Sequence, residues 1–255
     1  MSQDPDPLIQ GAGTSLAQWQ ASRALQAVPS LPRELILPLG RRLVVVAPHP
    51  DDEVLMCGGL LASLASDATC MLMISVTDGE GSHPGSSLWP TERLGAERPR
   101  ESARALAHLG LDAQRLDWLR LGFADSAVGE SETQLVQQLC ALIRPDDQVL
   151  TTWRHDGHCD HEAVGRACAS ACRTRQAHLL EVPVWAWHWA EPEDHRLPWL
   201  RARKLLVAPR FLVRKRRAIA AHQSQLLADP STGQPAILPP AVLERLLQPF
   251  ELVFL

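Results

Sequence analysis

The stretch VVVAPHPDDEVLMCGG, Val44–Gly59, decides the fold. With Leu43 before it, the run LVVVAP at 43–48 is short, apolar and β-branched, and predicts a buried strand. A helix is expected from about Glu53 to Ala65. Between the two stand His49, Asp51, Asp52 and Glu53, four groups that ionise or bind metal within five positions. Such groups repel one another and resist burial, so stability alone does not ask for them.

The same alternation repeats along the chain. CMLMISVTDG predicts a strand, and PRESARALAHLG a helix closed by Gly110. RLDWLRLG reads as a strand and ETQLVQQLCALIR as a helix ending before Pro145. QVLTTW is a further strand, followed by a helix beginning near His161. HLLEVPVWAWHW reads as a strand, FLVRKRRAIAAHQSQLL as a helix, and FELVFL as a closing strand. Repeated β-α alternation predicts an α/β fold, a mostly parallel sheet with helices on both faces. Ligands of such sheets bind beyond the carboxyl ends of the strands. HPDDE lies there, as do TDGEGSH, LGFADS and WRHDGHCDH, and together they predict one site. Residues 1–35 read as an N-terminal arm with one amphipathic helix near Ser15–Ala27, and 36–255 as a single domain.

Composition narrows the function classes. The 255 residues carry a net charge of −4, so no global basic field favours nucleic acid or an anionic membrane. The basic run Arg214–Gln223 reads as the solvated face of a helix. No apolar run approaches the roughly 20 residues of a membrane span. MSQDPDPLIQGAG has acids and prolines where a signal peptide needs basic and then apolar residues, and a cytoplasmic location is expected. The six cysteines then read as free thiols rather than a disulfide framework.

His49 and Asp52, three apart across a turn, can converge on one cation. A third ligand has candidates in HDGHCDHEAVG, His155–Gly165. Two histidines and a carboxylate, with water in the open position, form a recognised catalytic zinc arrangement. The metal would bring the pKa of that water to about 7, and Asp51 would be free to accept its proton as general base. A cation also offsets the repulsion among the crowded carboxylates.

APHPDDEVLMCGG and HCDHEAVGRA resemble the LmbE-like, or PIG-L, family of zinc-dependent de-N-acetylases acting on N-acetylglucosaminyl conjugates. TDGEGS, ERPRES, LGFADS and AAHQSQ support the match, which covers about Leu43 to Leu226. The resemblance implies a Rossmann-like three-layer α/β fold and a small amino-sugar conjugate as substrate. Homo-oligomers are common in the family. By position, His49, Asp52 and His161 would hold zinc, or ferrous iron, with Asp51 as general base. His158 would stand near the substrate carbonyl, assisting the oxyanion or the leaving amine, with Asp160 hydrogen-bonded to it. Arg98 of RPRE matches a substrate-contacting position, and Glu80 and Asp125 are further sugar-binding candidates.

Two departures stand out. Cys159 replaces the usual proline of HPDH and removes its stiffening of φ, and the chain has no tyrosine, which some relatives place near the histidine pair. Two other readings use the same residues. A non-haem iron oxygenase has the same ligand types, and a family member without turnover would only hold sugar. Cys168 and Cys172, four apart on a helix, read as one buried face rather than a second metal site. Trp185, Trp187 and Trp189 alternate and would share one strand face, as core or as a sugar platform. His222 is expected to pack near the site without acting chemically.

Overall fold

The computed structural model describes residue 9, residues 11–66 and residues 70–255. The start of the expected arm, residues 1–8 and 10, lies outside them. The described strands are β1 (Ser30–Leu31), β2 (Leu43–Ala47), β3 (Met71–Thr77), β4 (Asp117–Phe123), β5 (Gln148–Thr152), β6 (His178–Val182), β7 (Ala202–Leu206) and β8 (Phe250–Phe254). The helices are α1 (Leu16–Ala21), α2 (Arg23–Ala27), α3 (Arg33–Ile36), α4 (Asp52–Leu64), α5 (Thr91–Leu109), α6 (Glu132–Leu142), α7 (Cys159–Arg175), α8 (Ala186–Trp189), α9 (Pro209–Ile219), α10 (Gln223–Leu226) and α11 (Pro240–Leu246).

One sheet runs β1-β7-β8-β6-β5-β2-β3-β4. All pairings are parallel except those of β8, which runs against β6 and β7. FELVFL therefore lies inside the sheet rather than closing it at an edge. Strand β2 shows why three layers form. Leu43, Val45 and Ala47 belong to one buried cluster with Leu55 and Leu60 of α4, Leu106 of α5 and Ala218 of α9. Val44 and Val46 belong to the other, with Leu135 of α6 and Ala163, Cys168 and Cys172 of α7. Alternate side chains of a strand point to opposite faces, so one apolar run nucleates two cores. Chain order reverses at β2, which has β3 on one side and β5 on the other. That reversal is where an α/β sheet opens a crevice at its carboxyl edge.

Several elements differ from the sequence reading, each for a local reason. The helix expected over Ser15–Ala27 is two helices. Ser22 caps the second with its hydroxyl on Leu25 N–H, while Glu193 accepts from Arg23 N–H and Ala24 N–H. The strand expected to reach the tryptophans ends at Val182, and Trp187 turns into the core against Trp19, 5.0 Å away edge to face. The three tryptophans therefore do not share a strand face. The late helix is broken between Ile219 and Gln223, where the Glu101 carboxylate binds the N–H and hydroxyl of Ser224. Helix α5 begins at Thr91 and accommodates Pro99. The basic run splits, with Arg214, Arg216 and Arg217 exposed and Lys215 buried. Strands β1 and β7 are too short and too mixed to register as periodic signals. Among the described residues, no helix is long and apolar enough to cross a membrane.

The arm is tied to the fold. Trp19 is 1% exposed and donates its indole N–H to the carbonyl of Trp187 at 2.8 Å, and Thr14 binds the carbonyls of His188 and Ala190. Residues Ser30–Leu31 of the same segment add a strand beside β7. Trp19→Ala empties a filled site and leaves that carbonyl unpaired. It should cost about 3–5 kcal/mol in urea unfolding.

Candidate active site

The loops leaving β2, β3, β4 and β5 converge. Asp52 begins α4, and its Oδ2 accepts from the backbone N–H of His49 at 3.0 Å. The same oxygen lies 3.2 Å from His49 Nδ1 and 3.2 Å from His161 Nε2. His49, His158 and His161 each offer a nitrogen within 4.8 Å of the others. The imidazoles of His49 and His161 with the Asp52 carboxylate between them are donor types that could hold a divalent cation. All three side chains are buried, a position that carboxylate and imidazole occupy at little cost only when charges are matched.

The outer nitrogens of these histidines are also held. His161 Nδ1 binds Asp156 Oδ2 at 2.8 Å, which directs Nε2 toward Asp52. His49 Nε2 lies 3.2 Å from both Asp125 Oδ1 and Asp160 Oδ2. Burial opposes charge on both rings, but Asp125, Asp160 and Asp52 hold His49 well above the usual imidazole range. Asp52 and Asp156 lift His161 to about 9. Burial opposes ionisation of Asp52 as well, yet His161 and His49 hold its carboxyl well below the usual range. A carboxylate behind a ligating histidine fixes its tautomer and strengthens it as a donor.

Asp51 occupies a backbone position that non-glycine residues rarely adopt, φ 140° and ψ −29°. Such strain costs on the order of 1–3 kcal/mol and persists when the surroundings fix it. Here Asp51 N–H donates to Glu53 Oε2 at 3.0 Å, and Arg98 donates to Asp51 Oδ2 at 3.1 Å and to the carbonyls of Pro50 and Gly79. Gly79 admits the guanidinium, since a Cβ there would lie 2.1 Å from Arg98 Nη1. Burial raises the Asp51 carboxyl to about 7, with Arg98 opposing and Asp52 adding to the rise. A carboxylate poised near neutrality beside residues that could hold a metal suits a general base.

His158 caps α7, its Nδ1 accepting the N–H of Asp160 at 3.2 Å. Burial, then His161 and His49, hold its pKa well below the usual range. It is therefore neutral, with Nδ1 an acceptor and Nε2 carrying the proton. Cys159 stands at the first helical position of α7, where proline also fits.

The nine residues singled out as site candidates in the sequence lie in or against this cluster, but four make other side-chain contacts than expected. The Asp160 carboxylate does not orient His158; it accepts from Ser126 N–H at 2.7 Å and Val128 N–H at 3.1 Å and faces His49. Asp125 faces His49 and accepts from Gly81 N–H, and Glu80 accepts from Asp125 N–H, so this pair clasps the loops after β3 and β4. Arg98 is 3% exposed and engages Asp51. Cys168 and Cys172 lie in the core, and among the described residues no cysteine joins a group able to hold a metal ion.

Sequence reasoning missed Asp156. Its carboxylate also accepts from the N–H groups of Val184, Trp185 and Ala186, which starts α8 and pins the loop after β6. An acid shortly before the candidate ligand His161, in HDGHCDH, was the available signal.

With this geometry in view, residues 44–172 match the family described as PIG-L, GlcNAc-PI de-N-acetylase, about half of the chain. The chain belongs to that family. A 1D-myo-inositol 2-acetamido-2-deoxy-alpha-D-glucopyranoside deacetylase from Mycobacteroides abscessus is 32% identical over 121 residues, 40% of this chain and 43% of that protein. The deacetylase of the same description from Thermobifida fusca is 28% identical over 213 residues, 74% of this chain and 68% of that protein. The N,N'-diacetylchitobiose deacetylase of Pyrococcus horikoshii shares the fold, with TM-score 0.52, 20% identity and 76% of each chain covered.

Asp156→Asn keeps the side-chain shape but removes the charge behind His161. If the cluster holds a divalent metal, the change should weaken that binding about 10–100-fold, measured by competition with a chromophoric chelator.

Proposed function

We propose that this member of the PIG-L family is a zinc-dependent hydrolase removing an acetyl, or other short acyl, group from an N-acylated amino-sugar conjugate. The observation that carries this reading is the spare carboxylate of Asp51 beside the converging His49, Asp52 and His161. A metal-binding protein needs the three ligands; a hydrolase also needs a base. Relatives described as deacetylases of acetamido sugars support hydrolysis over the oxygenase that uses the same ligand types.

Held by His49, Asp52 and His161, zinc would polarise the acyl carbonyl and acidify a water molecule. Asp51 takes the proton from that water as its oxygen attacks the carbonyl carbon. Arg98 fixes the Asp51 carboxylate from the other side, so the base does not turn away as it gains the proton. His158, neutral and with its proton on Nε2, donates to the developing oxyanion. The proton on Asp51 then passes to the amide nitrogen, the C–N bond breaks, and a carboxylic acid and a free amine leave, the acid then giving its proton to the amine or to solvent. Glu80 and Asp125 join the loops after β3 and β4 beside the site.

Metal-stripped protein should release little free amine from N-acetylglucosaminides and regain release when zinc is added. Asp51→Asn should bind zinc as the wild type does, while kcat falls at least about 10²-fold. Ordinary turnover in that variant would remove Asp51 from the mechanism. Zinc-independent turnover would remove the metal.

A further inference from the structure

Helix α4 is broken where the sequence reads CGG. Cys57 leaves helical geometry, at φ −142° and ψ 23°, and divides Asp52–Leu64 into two pieces. A break inside a buried helix strands carbonyls at the end of the first piece and N–H groups at the start of the second. Two charged side chains from distant segments take them up. Lys215 of α9 donates its Nζ to the carbonyl of Leu55 at 2.9 Å. Glu251 of β8 accepts from Gly59 N–H at 2.7 Å and from Leu60 N–H at 3.0 Å. Lys215 and Glu251 then bind each other at 2.8 Å, and they are 1% and 4% exposed. Gly59 makes this approach possible, because a Cβ there would meet Val207 at 2.6 Å and Glu251 Oε1 at 3.1 Å.

The first piece of α4 is short, and it carries the site. The carbonyl of Asp51 accepts from Val54 N–H and Leu55 N–H, each at 2.9 Å. The carbonyl of Leu55, one residue's length away, is the one held by Lys215. The backbone of Leu55 thus joins the buried ion pair to the residue whose backbone is strained. Glu53 and Arg98 fix the front of Asp51, and the ion pair fixes the turn behind it.

We propose that Lys215 and Glu251 are positioning residues for the metal site. Together they end the first piece of α4 and start the second, and so hold Asp51 and Asp52 in register with His49 and His161. The inference rests on the reading of His49, Asp52 and His161 as metal ligands. A buried ion pair is not required for stability as such, since apolar residues of equal volume often replace one without loss. Its placement on the open ends of a broken helix ties it to that helix, and the ligand and the base sit on the adjoining turn.

The test uses the full chain and measures zinc affinity by titration calorimetry, thermal unfolding, and kcat and KM on an N-acetylated amino sugar that the wild type cleaves. The variant is Glu251→Gln. Should it fail to fold, Lys215→Met combined with Glu251→Gln is measured in its place, because the double change leaves no lone buried charge. At a temperature where the variant stays folded, zinc affinity should fall about 10-fold or more, with kcat reduced and KM little changed. A folded variant with a lowered melting temperature but wild-type zinc affinity and kcat would overturn the proposal and leave the pair a structural one. Wild-type protein that binds no zinc or cleaves no acetylated sugar would overturn the functional reading first, before any variant is compared.

Discussion

Placing many ionisable groups in a dry crevice is possible only if each charge is met, and the arrangement around β2 and β5 follows from that constraint. Asp156 accepts from three backbone N–H groups and from His161; Asp160 accepts from two and faces His49; Asp125 accepts from one and faces the same ring. Backbone amides therefore absorb the outer ring of carboxylates. The histidines, each braced from behind, turn their free nitrogens inward toward Asp52. Loop conformations after β4, β5 and β6 are set by the same bonds, so the site organises its surroundings as much as it is held by them.

Sheet topology makes that ring possible. Because β2 lies between β3 and β5, the loops leaving β2 and β5 emerge side by side, although more than a hundred residues separate His49 from His161. The core on each face of β2 then anchors one partner. Helix α4, with Asp52, packs on one face, and α7, with His161, packs on the other. A metal bridging His49, Asp52 and His161 would tie the two layers together across the end of the sheet.

Legibility in the sequence followed the range of the interaction. LVVVAP declared its strand because burial on both faces demands a continuous apolar run, and HPDDE declared its chemistry because nothing in folding explains those four polar residues together. The histidines that meet at Asp52 stood out for the same reason. What could not be read was which oxygen meets which nitrogen. Asp160 sits two residues from His158, yet its carboxylate reaches His49, because α7 turns the side chain toward the loop after β4. Likewise HLLEVPVWAWHW alternates like a strand, but Asp156 captures the backbone N–H groups of Val184 to Ala186 and converts its second half into a helical turn. Lys215 looked like part of a solvated basic face, and only the fold brings Glu251 and the break in α4 to it. Local period is written in sequence; long-range capping is not.

The absence of tyrosine gives His158 a definite task. The chain has no phenol to offer an oxyanion, so in the proposed reaction the side-chain donor is a different group. An imidazolium would be the stronger donor, but burial holds the His158 pKa well down, and a divalent ion nearby would push in the same direction. The backbone N–H of Asp160 settles the tautomer by occupying Nδ1. His158 is thereby a fixed hydrogen-bond donor rather than a proton source. On the proposed mechanism, the proton for the leaving amine comes from the group that has just acquired it, Asp51. In the proposed mechanism, oxyanion support and proton transfer thus fall to different residues.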